Sequence, residues 1–244
     1  MLDTQTEKTI AQVVQQVREV FATDLVCLAL YGSAVGEDFV PSRSDLNFAI
    51  VLERIAFTHL KALHAHLPKW HKLRVATPLL LDRAFLARAR DVFPMEFHDI
   101  KAQHRVLYGE EVFATLVIAT RHLRYQAEHE ARGKLLRLRA LYADVGAERP
   151  RLEALMLDSV KTFLIIMRNF IRLRAGEPHT RYPQVLEQFE EHFHAAFPAM
   201  RQLIRIKLGT EAWPKDIDAT FSAYLTEVER LVDLVDQALP DPET

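Results

Sequence analysis

The feature that most narrows the folds open to this 244-residue chain is a change of texture near residue 110. Up to that point apolar residues come in short runs: "LVCLALY" (25–31), "LNFAIVL" (46–52), "LRVATPLLL" (73–81) and "VFPMEFHDI" (92–100). Each run has the length of a strand, and helical or turn material separates them, which implies an α/β layer arrangement. Ahead of them, residues 4–22 place Ile10, Val13, Val14, Val17 and Phe21 at helical spacing, a single amphipathic helix. Beyond "LYGEE" (107–111) the strand signal stops. Residues 112–145 read as one long helix and Pro150 opens a second that runs to about Arg174. Within it, "LMLDSVKTFLIIMRNFIRL" is apolar on nearly every side, the pattern of a helix at the centre of a bundle. Three more helices are expected at 183–195, 197–208 and 215–239. The chain thus reads as an α/β unit over 1–110 and a helical bundle over 111–244.

Composition removes several alternatives. Only 7 Gly argue against a loop-rich or all-β protein, and the lone cysteine, Cys27, excludes an internal disulfide framework. No apolar run reaches the ~18 residues of a membrane span, and the N-terminus lacks the regions of a signal peptide, so a cytoplasmic protein is expected. Net charge is −2, but residues 121–174 hold 12 basic against 6 acidic side chains. That surplus is compatible with one face meeting an anion, or with arginine stems covering apolar surface.

The segment "LYGSAVGEDFVPSRSDLNFAIVLE" (30–53) carries the chemistry. A strand ending in Gly32-Ser33 offers an anion a close backbone approach, a hydroxyl and the amides that follow. Ser44-Asp45 then opens the next apolar run, which sets a carboxylate beside that turn. Mg²⁺ bridges such carboxylates to phosphate oxygens. The segment resembles the signature of the nucleotidyltransferase superfamily with the DNA polymerase beta-like fold, through Gly32, Ser33, Ser44, Asp45 and the apolar spacer Leu46. The resemblance extends to "FPMEFHDIKAQHRVLYGEE", similar to a later family strand that bears a third carboxylate, here Glu96. It implies an α+β fold, a mixed-sheet nucleotidyltransferase unit followed by an all-α bundle that binds an acceptor or a partner. It also implies transfer of a nucleotide from an NTP with Mg²⁺ or Mn²⁺. Asp45, Asn47 and Glu96 take the catalytic and metal positions, and Gly32, Ser33 and Ser44 hold the nucleotide. The acceptor, whether a small molecule, a protein side chain or an RNA end, stays open, as does a homodimer. Asn47 departs from the pattern, since it stands where the second metal-binding Asp belongs. The alternative is therefore a catalytically inactive protein of the same fold that binds nucleotide, nucleic acid or a protein partner.

Other residues compete for roles. Asp99 is the second choice for the third acid, and His98 and His104 flank the expected Glu96 strand. His59, His64, His66 and His71 match no zinc spacing and are expected at the surface. "RAGEPH" (174–179) matches as a string the Arg-x4-His ribonuclease motif of HEPN domains, but Gly176 and Pro178 make a helix exit the simpler reading. Arg121 with Arg124, and Arg168 with Arg172, share helix faces at i, i+3 and i, i+4 spacing.

Overall fold

The computed structural model of the chain describes residues 2–41, 43–119, 122–146 and 148–238. It divides into two compact units, Met1–Ala119 and Thr120–Thr244.

The first unit is built on a mixed four-stranded sheet. Its strands are β1 (Leu25–Tyr31), β2 (Asn47–Leu52), β3 (Leu79–Asp82) and β4 (His104–Gly109), in the order β3-β2-β1-β4. β1 pairs antiparallel with both β2 and β4, and β2 pairs parallel with β3. A parallel neighbour needs a crossover, supplied here by helices α2 (Phe57–His64) and α3 (Leu67–Lys72).

Because strand side chains alternate, the sheet splits its apolar residues between two faces. On one face Leu28, Leu30, Phe48, Ile50 and Leu52 meet Ile10, Val13, Val17 and Phe21 of α1 (Thr4–Phe21), with Leu63 and Trp70 of the crossover helices. On the other, Cys27, Ala29, Ala49 and Val51 are covered by Leu86 of α4 (Arg83–Arg88) and by Phe97 and Ile100 of α5 (Pro94–Ala102). Phe113 and Leu116 complete that second layer. The small residues of this face, Ala29 and Ala49, let its helices lie close.

Two sequence expectations are corrected. The run at 92–100 is not a strand: Pro94 stands in the first turn of α5, where its missing N–H would have no partner in any case. Met95, Phe97 and Ile100 are its buried residues. Nor does a helix begin at 112. Residues 112–119 form irregular chain whose Phe113 and Leu116 belong to the first unit's core, so that unit extends past 110.

In the second unit α6 (Leu123–Val145) and α7 (Arg149–Ala175) are followed by α8 (Tyr182–Phe193), α9 (Pro198–Leu208) and α10 (Ile217–Ala238). As its all-round apolar pattern demands, α7 packs against α6, α8, α9 and α10. It ends at Gly176, whose φ is +92°, the helix exit expected within "RAGEPH". Glu227 of α10 caps α9, accepting from the amides of Ala199 at 2.7 Å and Met200 at 2.8 Å.

Gly109, which ends β4, admits no side chain. Its φ is +84°, and a Cβ there would lie 2.0 Å from the Val26 carbonyl oxygen. Gly109→Ala therefore combines left-handed strain with a backbone clash, and should lower unfolding stability by about 3 kcal/mol or more. Urea denaturation checks this, with Gly133→Ala inside α6, where a Cβ meets nothing within 4 Å and about 0.5–1 kcal/mol of stabilisation is expected, as the contrasting variant.

Candidate functional site

The Gly32-Ser33 turn is placed by the register of the sheet. At the end of β1, Tyr31 lies opposite Asn47 on one side and His104 on the other. The chain then coils into a single 3-10 turn, Gly32–Val35. Gly32 adopts φ +76°, a conformation that glycine enters without penalty. Its amide donates to the Gln103 carbonyl at 3.1 Å, and the turn is closed by Gly36 N–H on the Ser33 carbonyl at 3.1 Å. A Cβ on Gly32 would lie 3.5 Å from Asn47 Nδ2, so the Asn47 carboxamide stands directly over the turn. The structure thus brings together Gly32, Ser33 and Asn47.

Ser44 and Asp45 arrive through a tight loop. The Ser44 hydroxyl accepts from Val40 N–H at 3.0 Å, and its own amide returns to the Val40 carbonyl at 2.7 Å. Ser44 is therefore a loop-closing residue. Asp45 is exposed, and its Oδ1 lies 3.5 Å from Arg74 Nη2. The same Arg74 nitrogen donates to the Arg43 carbonyl at 3.0 Å. Arg74 itself sits at φ +58°, locked by Leu46 N–H on its carbonyl at 2.8 Å and by its own amide on His71 at 3.1 Å. Nothing in the composition of "KLRVATP" marks this arginine in advance, because its place depends on a parallel bridge between Leu46 and Val75.

The third carboxylate position is the largest departure from expectation. Glu96 lies exposed in the first turn of α5, not on a strand. The turn-forming Gln103 caps the other end of that helix, seven residues on, about 10 Å along a helix axis. Asp99, one turn nearer to Gln103, is on the same helix face as Glu96 rather than the opposite side of a strand. The strand that does flank Tyr31 is β4, "HRVLYG", and it holds no acid. Its Arg105 reaches Glu7 of α1 at 3.4 Å. His104 is nearly buried, with Nδ1 2.9 Å from the Ile100 carbonyl and Nε2 3.0 Å from both Glu111 oxygens. Glu111 also accepts from the amides of Phe113 and Ala114, each at 3.0 Å. Both groups are tied into the scaffold. His98 lies on α5.

Against the needs of a two-metal centre this set is poor. Mg²⁺ is held by carboxylates at fixed octahedral positions, and two ions require more than one acid. Asp45 is matched to Arg74, Asn47 is neutral, and β4 adds none. Among the described residues there is no group of three or more His, Cys, Asp or Glu able to hold a metal ion.

The remaining candidates resolve more simply. Cys27 is fully buried, and burial first, with nearby Glu111 second, pushes its thiol up to about 12, an inert core residue. His59 is less exposed than expected, accepting from Ala56 N–H at 3.2 Å and lying 3.2 Å from Asp24. Arg168 is buried in α7 and Arg172 donates to Asn169 at 2.8 Å; Arg121 lies outside the described residues. Among those residues no helix is long and apolar enough to cross a membrane.

No protein-family model matches the sequence, and no curated protein matches it at a significant level. Solved structures do. Spectinomycin adenyltransferase AAD(9) from Enterococcus faecialis, crystallised with ATP and spectinomycin, superposes with a TM-score of 0.63 at 11% identity. The match spans 94% of this chain and 99% of that one. What is shared is the fold. It runs nearly end to end in both proteins, so the helical unit belongs to the likeness as much as the sheet does. A nucleotidyltransferase-like protein from Exiguobacterium sibiricum 255-15 aligns at 12% identity over 93% of this chain and 74% of that one, with a TM-score of 0.34, too low to support an argument.

One pH dependence follows from the scaffold. Burial raises the Glu111 carboxyl, but hydrogen bonds from Ala114 N–H, His104 and Phe113 N–H outweigh it and hold the group below its ordinary 4.5. A lowered folded pKa contributes stability that is complete above 4.5 and is lost as pH falls through the folded value. The stability gap between wild type and Glu111→Gln should therefore narrow as pH falls below 4.5. Denaturant titrations at stepped pH check it; a gap that does not change with pH would refute it.

Proposed function

We propose that this chain is a nucleotide-binding protein of nucleotidyltransferase fold, which holds a nucleoside triphosphate at the Gly32-Ser33 turn without transferring it. The observation that carries this reading is the set of side chains around Tyr31. Asn47 lies to one side and His104 to the other, where two-metal transfer calls for acids. The turn keeps what phosphate binding needs, a left-handed glycine, a hydroxyl and a short run of amides. What it lacks is the charge that gathers metal ions and stabilises a departing pyrophosphate. Losing one catalytic metal ligand removes on the order of 10²-fold or more in rate, and here two positions differ. The ATP bound by the AAD(9) adenyltransferase favours a nucleotide as the ligand class.

The fold likeness to an adenyltransferase also supports a second reading, slow transfer from an NTP with Asp45 as the principal metal ligand and Asn47 an auxiliary one. Glu96 or Asp99 would then supply the third acid from α5. The helical unit would hold the acceptor.

The two separate cleanly. Each NTP should raise the melting temperature if it binds the folded chain. At 100 times Kd the gain is about 2.7 kcal/mol, roughly 5–10 °C for a chain of this size. Gly32→Val should abolish the shift. Pyrophosphate release should stay at background with ATP, GTP, CTP and UTP, with Mg²⁺ or Mn²⁺, and Asn47→Asp alone should not start it. Turnover by the wild type would establish the second reading, and no shift with any NTP would exclude both.

A further inference from the structure

We infer that the second unit carries a ligand site of its own, a groove between α6 and α7 that takes a small zwitterion with an apolar body, of the amino-acid kind. α6 ends at Val145 and α7 begins at Arg149, a connection short enough to make them antiparallel neighbours. Along their seam lies a cavity of about 380 Å³, within the range of small-ligand pockets. Its apolar lining is Leu138 and Leu141 from α6 with Leu155 and Phe163 from α7. None of the nucleotide-site candidates lines it.

What selects a zwitterion is the division of charge between the two walls. α6 contributes the cations Lys134 and Arg137; α7 contributes the Asp158 carboxylate with the hydroxyls of Ser159 and Thr162. Those hydroxyls are set to accept. Thr162 donates its proton to the Asp158 carbonyl at 3.3 Å, and Ser159 donates its own to the Met156 carbonyl at 3.2 Å. One wall therefore donates and the other accepts. Arg137 and Asp158 border the same cavity, yet among the described residues neither makes an ion pair. Neighbouring charges are matched: Arg132 with Glu128 at 3.4 Å, Lys134 with Glu130 at 3.3 Å and Arg139 with Glu229 at 2.7 Å. Two opposite charges held apart across an apolar floor suit a ligand that carries both. Its carboxylate would lie toward Arg137, its ammonium toward Asp158 and the hydroxyl oxygens, and its hydrocarbon on the leucines.

The floor is fixed from beneath. Tyr224 of α10 is fully buried; its hydroxyl donates to Ser159 Oγ at 3.0 Å, and its ring meets Phe163 edge-on, with centroids 6.5 Å apart. Ser159 is thus held by two hydrogen bonds and keeps a lone pair for a ligand. Side chains already ordered before binding cost less to order on binding, which favours affinity for a small ligand.

NMR chemical-shift titration of the full chain with L-phenylalanine and L-leucine tests this, and a Kd of about 1 mM or tighter is expected for ligands this small. N-acetyl-L-phenylalanine lacks the ammonium and L-phenylalaninamide lacks the carboxylate. Each should bind about tenfold more weakly or worse, having lost one charge-assisted contact. Two rim variants locate the site. Arg137→Gln should weaken the free amino acids by about tenfold and leave the amide unchanged; Asp158→Asn should weaken them likewise and leave the N-acetyl form unchanged. Both side chains are exposed, so the variants should fold, which circular dichroism melts verify. Blocked forms that bind as well as the free amino acids would overturn the inference. So would binding indifferent to both variants, or no shift with either amino acid at about 50 mM.

Discussion

The structure of the first unit depends on β1 pairing antiparallel on both of its edges. With β2 on one side and β4 on the other, the strand is buried from Leu25 to Leu30 and cannot shift register without turning its core residues to the wrong face. That constraint fixes Tyr31 between Asn47 and His104, and so fixes what surrounds the turn that follows. The site is a consequence of strand pairing before it is a matter of particular side chains. Changing Asn47 alters the chemistry available there; changing the register would remove the site.

Much of this was legible in the sequence, for reasons that can be named. β1 and β2 are continuous apolar runs because both faces of the sheet are covered, and the helix over 4–22 declared itself through its single apolar stripe. α7 was legible for the opposite reason, since only a central helix tolerates apolar residues all round. The run at 92–100 misled because a short apolar segment is ambiguous between a strand and a buried helix. Pro94 was the available arbiter: it suits the first turn of a helix and is rarely tolerated within a sheet. The segment after 111 misled differently. Phe113 and Leu116 keep a helix-like spacing, yet they are apolar because they close the core under β1 and β2.

The candidate site was half legible. Gly32, Ser33 and Asp45 announced themselves by type and spacing, and Asn47 by its departure from a pattern. Arg74 did not, because it owes its position to contacts between segments distant in sequence. Arg74 reaches Asp45 across 29 positions of chain through a parallel bridge that no local pattern encodes. Long-range pairing of this kind sets an ordinary surface residue against a candidate one.

The two outer strands of the open sheet meet different ends. β3 has four residues, and its last, Asp82, is also the residue whose carboxylate accepts from Phe85 N–H at 2.7 Å to begin α4. One side chain thus terminates a strand and initiates a helix. An incoming extended peptide that sought to lengthen the ladder at this margin would find at most four residues to zip against before the backbone turned away. A short edge strand of this kind offers little template for edge-to-edge pairing.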